Sequence, residues 1–231
     1  TSVLVTFGKK ITILRFKLRN KNMKRIDPKK LFGKQWSFLL GAAQFSQSPD
    51  HRNPEVAFIG ASNVGKSSII NSLLGRKVAI VSNTPGRTRQ LNFFSSDKTL
   101  VDSLVIVDMP GYGFAKANQK HVESWQKTSF EYLARRPNLK RVFLLIDPVK
   151  GVKQSDKDIT QMFNTLGVSF QIVLTKVDKI KEPQIKKTED EILTLSKKWP
   201  AAFPGIIRTS SVHKTGIHEL QNAIVEILNF L

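Results

Sequence analysis

The sequence predicts a three-layer α/β fold, with helices covering both faces of a mostly parallel central sheet. Short runs of Val, Ile, Leu and Phe alternate with amphipathic stretches from residue 55 to the end of the chain. The runs are continuously apolar, as in Arg141–Asp147 (RVFLLID), which is how a strand buried on both faces reads. The first run passes straight into a glycine-rich turn that opens a helix, the order of a doubly wound unit.

Each element has a local reason. Glu55–Ile59 is the first strand of the domain, and Ser67–Leu74 is the helix after the turn, ended by Gly75. Phe93 and Phe94 pack in a strand. Leu104–Asp108 is a buried strand, and Val122–Arg135 is a helix that stops before Pro137. Arg141–Asp147 is buried, Ser155–Leu166 is helical up to Gly167, and Val168–Thr175 is buried again. Glu182–Lys198 is an amphipathic helix with Pro183 in its first turn, where the missing N–H costs little. Gly205–Thr209 is a last short strand and Gly216–Leu228 the closing helix. Residues 54–231 therefore form the domain, 34–53 lead into it, and 1–33 are a basic extension.

Composition narrows the chemistry. A chain of 231 residues, 40% of them apolar, can bury a real core. With no cysteine it has no disulfide scaffold, Cys-ligated zinc, iron–sulfur cluster or cysteine nucleophile. His213 and His218 are the only neighbouring histidines, and no carboxylate stands at metal spacing beside them. The longest clear apolar run, Phe38–Phe45, falls well short of the ~18 residues of a membrane span. The net charge is +19 from 37 Lys/Arg against 18 Asp/Glu. Residues 1–40 hold eleven of those cations and one acid, Asp27. Such a field favours polyanions. Three readings stand for the extension: residues ahead of the natural start, since Met23 opens a plausible start of its own; a targeting segment; or a basic arm for polyanions. Localisation follows that choice: cytoplasmic in a bacterium, or a mitochondrial or plastid matrix if the extension is a targeting segment.

The chemistry-bearing stretch is Gly60-Ala61-Ser62-Asn63-Val64-Gly65-Lys66-Ser67, which fits G-x-x-x-x-G-K-[ST] between a strand and a helix. The glycines let backbone close round phosphates, and the helix N-terminus supplies donors and positive potential. Lys66 reaches the β/γ-phosphates and the Ser67 hydroxyl ligates Mg²⁺; Ser68 belongs to the same turn. Thr175-Lys176-Val177-Asp178 chooses the base. A carboxylate at Asp178 accepts from guanine N1–H and the exocyclic amine, whereas adenine N1 would face it with a lone pair. Asp108-Met109-Pro110-Gly111 follows another buried strand: Asp108 reaches Mg²⁺ through a water, and the Gly111 N–H approaches the γ-phosphate. Between these lies a polar segment, Gly86-Arg87-Thr88-Arg89-Gln90, whose threonine can close over Mg²⁺ and γ-phosphate. Thr209-Ser210-Ser211 can present N–H groups and hydroxyls to the guanine O6.

These segments resemble the EngB (YihA) family of ribosome-assembly GTPases, within the translation-factor class of P-loop GTPases. GASNVGKSS, TPGRTRQLNFF, DMPGYGFAK, FLLIDPVKG and VLTKVDK carry the resemblance, which runs from about Leu39 to Leu228. It implies a Ras-like fold and a Mg²⁺-dependent GTP/GDP switch with Lys66, Thr88 and Gly111 as catalytic contacts. It further implies Ser67 and Thr88 as Mg²⁺ ligands, with the large ribosomal subunit precursor and its rRNA as partners, and no DNA or membrane. Asn63 stands where cation-activated GTPases seat K⁺. The default oligomeric state is a monomer, since no heptad or apolar stripe shows. An alternative is a nucleotide-regulated rRNA scaffold whose hydrolysis is incidental.

Two departures bear on mechanism. Ala61 stands where the family usually has Arg. Tyr112 follows Gly111, where Ras-like proteins carry a water-orienting Gln, so intrinsic turnover should be slow, on the order of 10⁻⁴–10⁻³ s⁻¹.

Overall fold

The computed structural model describes residues 2–7, 10–15, 26–80, 90–97, 99–100, 103–112 and 119–229, with 2–7, 10–15 and 119–126 described in backbone only. Within the extension, strands β1 (Ser2–Phe7) and β2 (Lys10–Arg15) pair antiparallel, apart from the main sheet. The short helix α1 (Pro28–Phe32) follows, its first turn capped by the Asp27 carboxylate.

Seven strands form the main sheet: β3 (Ser37–Ala42), β4 (Glu55–Gly60), β5 (Leu91–Ser95), β6 (Val105–Asp108), β7 (Leu139–Ile146), β8 (Phe170–Leu174) and β9 (Ala202–Arg208). Their spatial order is β3-β5-β6-β4-β7-β8-β9. From β6 to β9 neighbours run parallel, while β5 is antiparallel to both β6 and β3. The predicted class holds. All six residues of β4 are buried, because its alternating side chains serve two cores. Val56 and Phe58 pack with Ile69, Ile70 and Leu73 of α2 (Lys66–Leu73) and with Leu220 and Ile224 of α6 (Ile217–Asn229). Ala57 and Ile59 pack on the other face with Tyr132 of α3 (Gln119–Arg135), Phe163 of α4 (Gln154–Leu166) and Ile185 and Ile192 of α5 (Glu182–Ser196).

The sequence left β3 unassigned, inside the lead-in. Its period is broken by an irregularity between Phe38 and Leu40, and Phe38 stays 48% exposed on this edge strand. Gly41 leaves the space that the Gln90 side chain fills. Strand β9 begins at Ala202, earlier than Gly205, with a register shift against β8 between Phe170 and Ile172.

A buried ionic cluster ties α3 to the foot of β4. Glu55 is fully buried and accepts from the Tyr132 hydroxyl (2.7 Å) and from Arg136 (2.6 and 3.0 Å), with His51 Nε2 at 3.1 Å. Burial alone pushes this carboxyl up, but the bonds from His51, Arg136 and Tyr132 and the Arg136 charge together hold it below its ordinary value. A carboxylate lowered in the folded state adds stability above its unfolded pKa, about 4.3, and loses it as pH falls further. Glu55→Ala should therefore cost about 3–5 kcal/mol at pH 7 by stranding Arg136. The difference from the parent should shrink below pH 4, which urea unfolding across pH 3–7 would measure.

Candidate nucleotide site

Chain order reverses around β4: the strands that follow it in sequence first extend the sheet to one side, through β6, and then to the other, through β7. The crevice at the carboxyl end of such a strand is where this class of sheet binds ligands. Gly60 lies there because a Cβ would stand 2.8 Å from Val64 Cγ1 and 2.9 Å from the Leu145 carbonyl. The loop then turns through two left-handed residues, Asn63 (φ 63°) and Gly65 (φ 100°). Gly65 begins α2 with no side-chain cap, which leaves the first-turn N–H groups aimed out of the loop. Val64 faces the core, so only its backbone belongs to the loop. Ser67 and Ser68 are half-buried in the first turn of α2.

Lys66 and Asp108 meet in this crevice. Both are buried, and the ammonium is paired with the carboxylate. Asp108 ends β6, and the chain beyond it keeps pairing with the loop: Met109 N–H donates to the Phe58 carbonyl (3.0 Å) and Tyr112 N–H to the Gly60 carbonyl (3.3 Å). Met109 and Pro110 are buried in this ladder and offer no side chain to a ligand. Gly111 rests on the loop, where a Cβ would stand 3.2 Å from the Gly60 carbonyl and 3.4 Å from the Ser62 nitrogen. Lys66 and Asp108 thus meet at the start of α2, and Gly111 lies against the loop at Gly60 and Ser62.

The base-reading segment is fastened to the phosphate loop from behind. Thr175 is buried and donates its hydroxyl to the Val64 carbonyl (2.7 Å). Lys176, left-handed at φ 54°, runs its stem past Gly65 and donates to the Asn63 carbonyl (2.6 Å) and to Asp147 (2.7 Å). Val177 contributes backbone, its N–H bonded to the Thr209 carbonyl (3.3 Å). Asp178 is exposed to solvent at the rim. The Ser210 hydroxyl, with smaller help from His213 and Lys179, holds its carboxyl below the ordinary aspartate range.

Several expectations change on contact with these geometries. Thr209 does not face a base: its hydroxyl goes to the Leu174 carbonyl (2.7 Å), inside the core. Ser210 spends its N–H on the Thr215 carbonyl and its hydroxyl on Asp178. The Gln90 amide packs on Gly41 and bonds Asn92 (3.2 Å), away from the phosphate loop. Gly86, Arg87, Thr88 and Arg89 lie outside the described residues. Asn63 has a backbone reason for its type, because Asn tolerates the left-handed region.

One contributor lies outside the sequence-predicted residues. Asp147 receives Lys176 and also accepts from the Val149 N–H (3.0 Å). A carboxylate ending the apolar run RVFLLID, as Asp108 ends its own, was the available signal. Tyr112 is buried and donates its hydroxyl to Asp156 (2.7 Å), so it points away from the place of a water-orienting side chain.

A family profile described as "50S ribosome-binding GTPase" matches residues 55–176. The protein named "Probable GTP-binding protein EngB" of Chelativorans sp. is 48% identical over 202 residues, covering 85% of this chain and 90% of that one. Its namesake in Allorhizobium ampelinum is 46% identical over 202 residues, covering 85% and 92%. Among solved structures, Aquifex aeolicus Era bound to GDP and AlF₄⁻ superposes with TM-score 0.63 at 27% identity, covering 77% of this chain and 57% of Era. Another Era structure of equal TM-score, 0.63, holds MgGDPNP and nucleotides 1506–1542 of 16S ribosomal RNA, at 27% identity and the same 77% and 57% coverage. The chain thus spans little more than half of Era's length. An EngB crystal structure shares the fold at TM-score 0.59 and 24% identity, with 77% of this chain and all of that one covered. With the Gly60–Ser67 and Thr175–Asp178 motifs in place and these relatives in agreement, the chain belongs to the EngB family of GTP-binding proteins and is a GTPase.

Proposed function

We propose that this chain is a Mg²⁺-dependent switch in assembly of the large ribosomal subunit. It would bind the precursor particle through rRNA in its GTP state and leave after hydrolysis. The observation that carries the reading is the basic excess, net +19 with eleven of 37 cations in residues 1–40, joined to a domain whose family is described as ribosome-binding. Era's crystallised contact with 16S RNA supports RNA as the kind of ligand a related domain serves. A monomer acting in the bacterial cytoplasm fits the partner and the bacterial relatives.

The residues present suit a Mg²⁺ ion. Mg²⁺ takes one or two protein oxygens, the rest coming from water and phosphate, so the absence of a three-carboxylate or histidine cluster among the described residues is no obstacle. Ser67 would ligate it, Thr88 would close over it, and Asp108, beside Lys66, would reach it through a water. The bound ion supplies charge neutralisation on the β- and γ-phosphate oxygens. Lys66 binds the same oxygens, and the Gly111 N–H orients the γ-phosphate.

The test is sedimentation with large-subunit precursors. More chain should pellet with a non-hydrolysable GTP analogue than with GDP, and binding should weaken steeply with salt. Equal pelleting in both states would leave the scaffold reading in its place. K⁺ is proposed as an activating ion at Asn63. Hydrolysis should then run faster in KCl than in NaCl at equal ionic strength, and equal rates would leave Asn63 only its backbone role.

A further inference from the structure

We propose that Tyr112 is a positioning residue, the fixed post on which Gly111 is held for the γ-phosphate, and that Asp156 at the start of α4 secures it. The inference rests on the GTPase activity of the family and not on the ribosomal reading.

The post is built from three attachments. The backbone of Tyr112 forms a parallel bridge with Ala61, its N–H donating to the Gly60 carbonyl (3.3 Å) and its carbonyl accepting from the Ser62 N–H (3.2 Å). The ring is 6% exposed and sits in the core beneath the α3–α5 face. The hydroxyl donates to Asp156 Oδ1 at 2.7 Å, and the other oxygen of that carboxylate accepts the Lys153 N–H at 2.8 Å. Burial and the Asp156 charge push the tyrosine hydroxyl well above its ordinary pKa, in keeping with its role as the donor in this bond.

Gly111 lies between two fastened neighbours. On one side Met109 N–H is bonded to the Phe58 carbonyl, and on the other stands Tyr112. Its only freedom is the space above the phosphate loop, where even a Cβ would crowd Gly60 and Ser62. The Gly111 N–H is therefore presented by a continued β-ladder, and the ladder ends at a side chain locked to another element. Where Ras-like proteins carry a water-orienting glutamine, this chain has a residue whose hydroxyl is bonded to Asp156 and whose backbone is fixed to the phosphate loop. The same carboxylate caps α4, so displacement of the loop 147–153 reaches Gly111 through two hydrogen bonds. That loop borders the cleft beside Ala61 and Ser62 and exposes Lys150 and Lys153.

A post for the γ-phosphate donor has a signature that a purely structural tyrosine lacks. GDP, with no γ-phosphate, should not sense it. In Tyr112→Phe the Kd for GDP should stay within about twofold, while affinity for a non-hydrolysable GTP analogue and kcat each fall about tenfold, a size typical of a displaced positioning group. Asp156→Ala should behave alike, and Asp156→Asn, whose oxygen can keep the Lys153 N–H while its amide donates to the tyrosine oxygen, should recover part of kcat. Parent-like kcat and GTP/GDP discrimination in Tyr112→Phe would overturn the proposal. So would parallel loss of GDP and GTP-analogue affinity with a lowered Tm, which would make the bond a fold element only. A parent protein that fails to hydrolyse GTP would instead contradict the GTPase assignment itself.

Discussion

Lys66→Ala should abolish GTP hydrolysis on any practical timescale. Among the described residues, the Lys66 ammonium is the cation paired with Asp108 at the phosphate loop. Removing a preorganised charge stabiliser of this kind costs about 10²–10³-fold or more in rate. A second effect accompanies the first. Asp108 is only 2% exposed, so without Lys66 a buried carboxylate loses its partner, at a cost of about 3–5 kcal/mol in the nucleotide-free chain. The two effects separate in Lys66→Arg. Guanidinium restores the charge beside Asp108 and the melting temperature, but its planar fork does not fit a loop shaped for a compact ammonium. Phosphate release and thermal melting on both variants check this. Hydrolysis surviving in Lys66→Ala would remove the phosphate loop from the mechanism.

Asp178→Asn should exchange guanine for xanthine. In the proposed base site the carboxylate would accept two hydrogen bonds, from N1–H and the 2-amino group. The Ser210 hydroxyl, whose oxygen also accepts the His213 N–H at 3.2 Å, holds it below the ordinary aspartate range. An asparagine offers one acceptor and one donor, so the 2-amino group meets another donor. Xanthine carries a carbonyl there and suits the amide. GTP affinity should fall on the order of 10³-fold or more, the scale on which a site built to hydrogen-bond a group rejects its mismatch. XTP should bind in its place, as competition against fluorescent GDP would record. Because Asp178 is exposed, the folded state should barely change, which makes the specificity readout clean.

The legible parts of this protein were those in which one local rule decides. Continuous apolar runs give β4, β6, β7 and β8 to within two residues at each end, and Pro183 and Gly167 place the start of α5 and the end of α4. The phosphate loop was legible because its glycines answer to steric demands that little else satisfies: Gly60 has no room for a Cβ, and Gly65 sits at φ 100°. What stayed hidden depends on partners far away in sequence. Strand β3 is an edge whose register is set by β5, not by its own period. Thr175 and Thr209 look like ligand contacts in a motif, yet each hydroxyl is committed to a carbonyl of a neighbouring segment, Val64 and Leu174. Glu55 begins a strand as an unremarkable acid, and only the fold gathers His51, Tyr132 and Arg136 round it. Tyr112 was noticed for the amide it replaces, while its bond to Asp156 lies 44 positions further along the chain.

The most direct test of the central claim is single-turnover GTP hydrolysis by the purified chain, with and without large-subunit precursor particles. The purified chain should bind GTP and GDP but not ATP, turn over on the order of 10⁻⁴–10⁻³ s⁻¹ by itself, and run several-fold faster with the particles at low salt. A rate unchanged by the particles, with guanine nucleotides tightly bound, would contradict the assembly switch and leave a GTPase whose basic surface serves another polyanion.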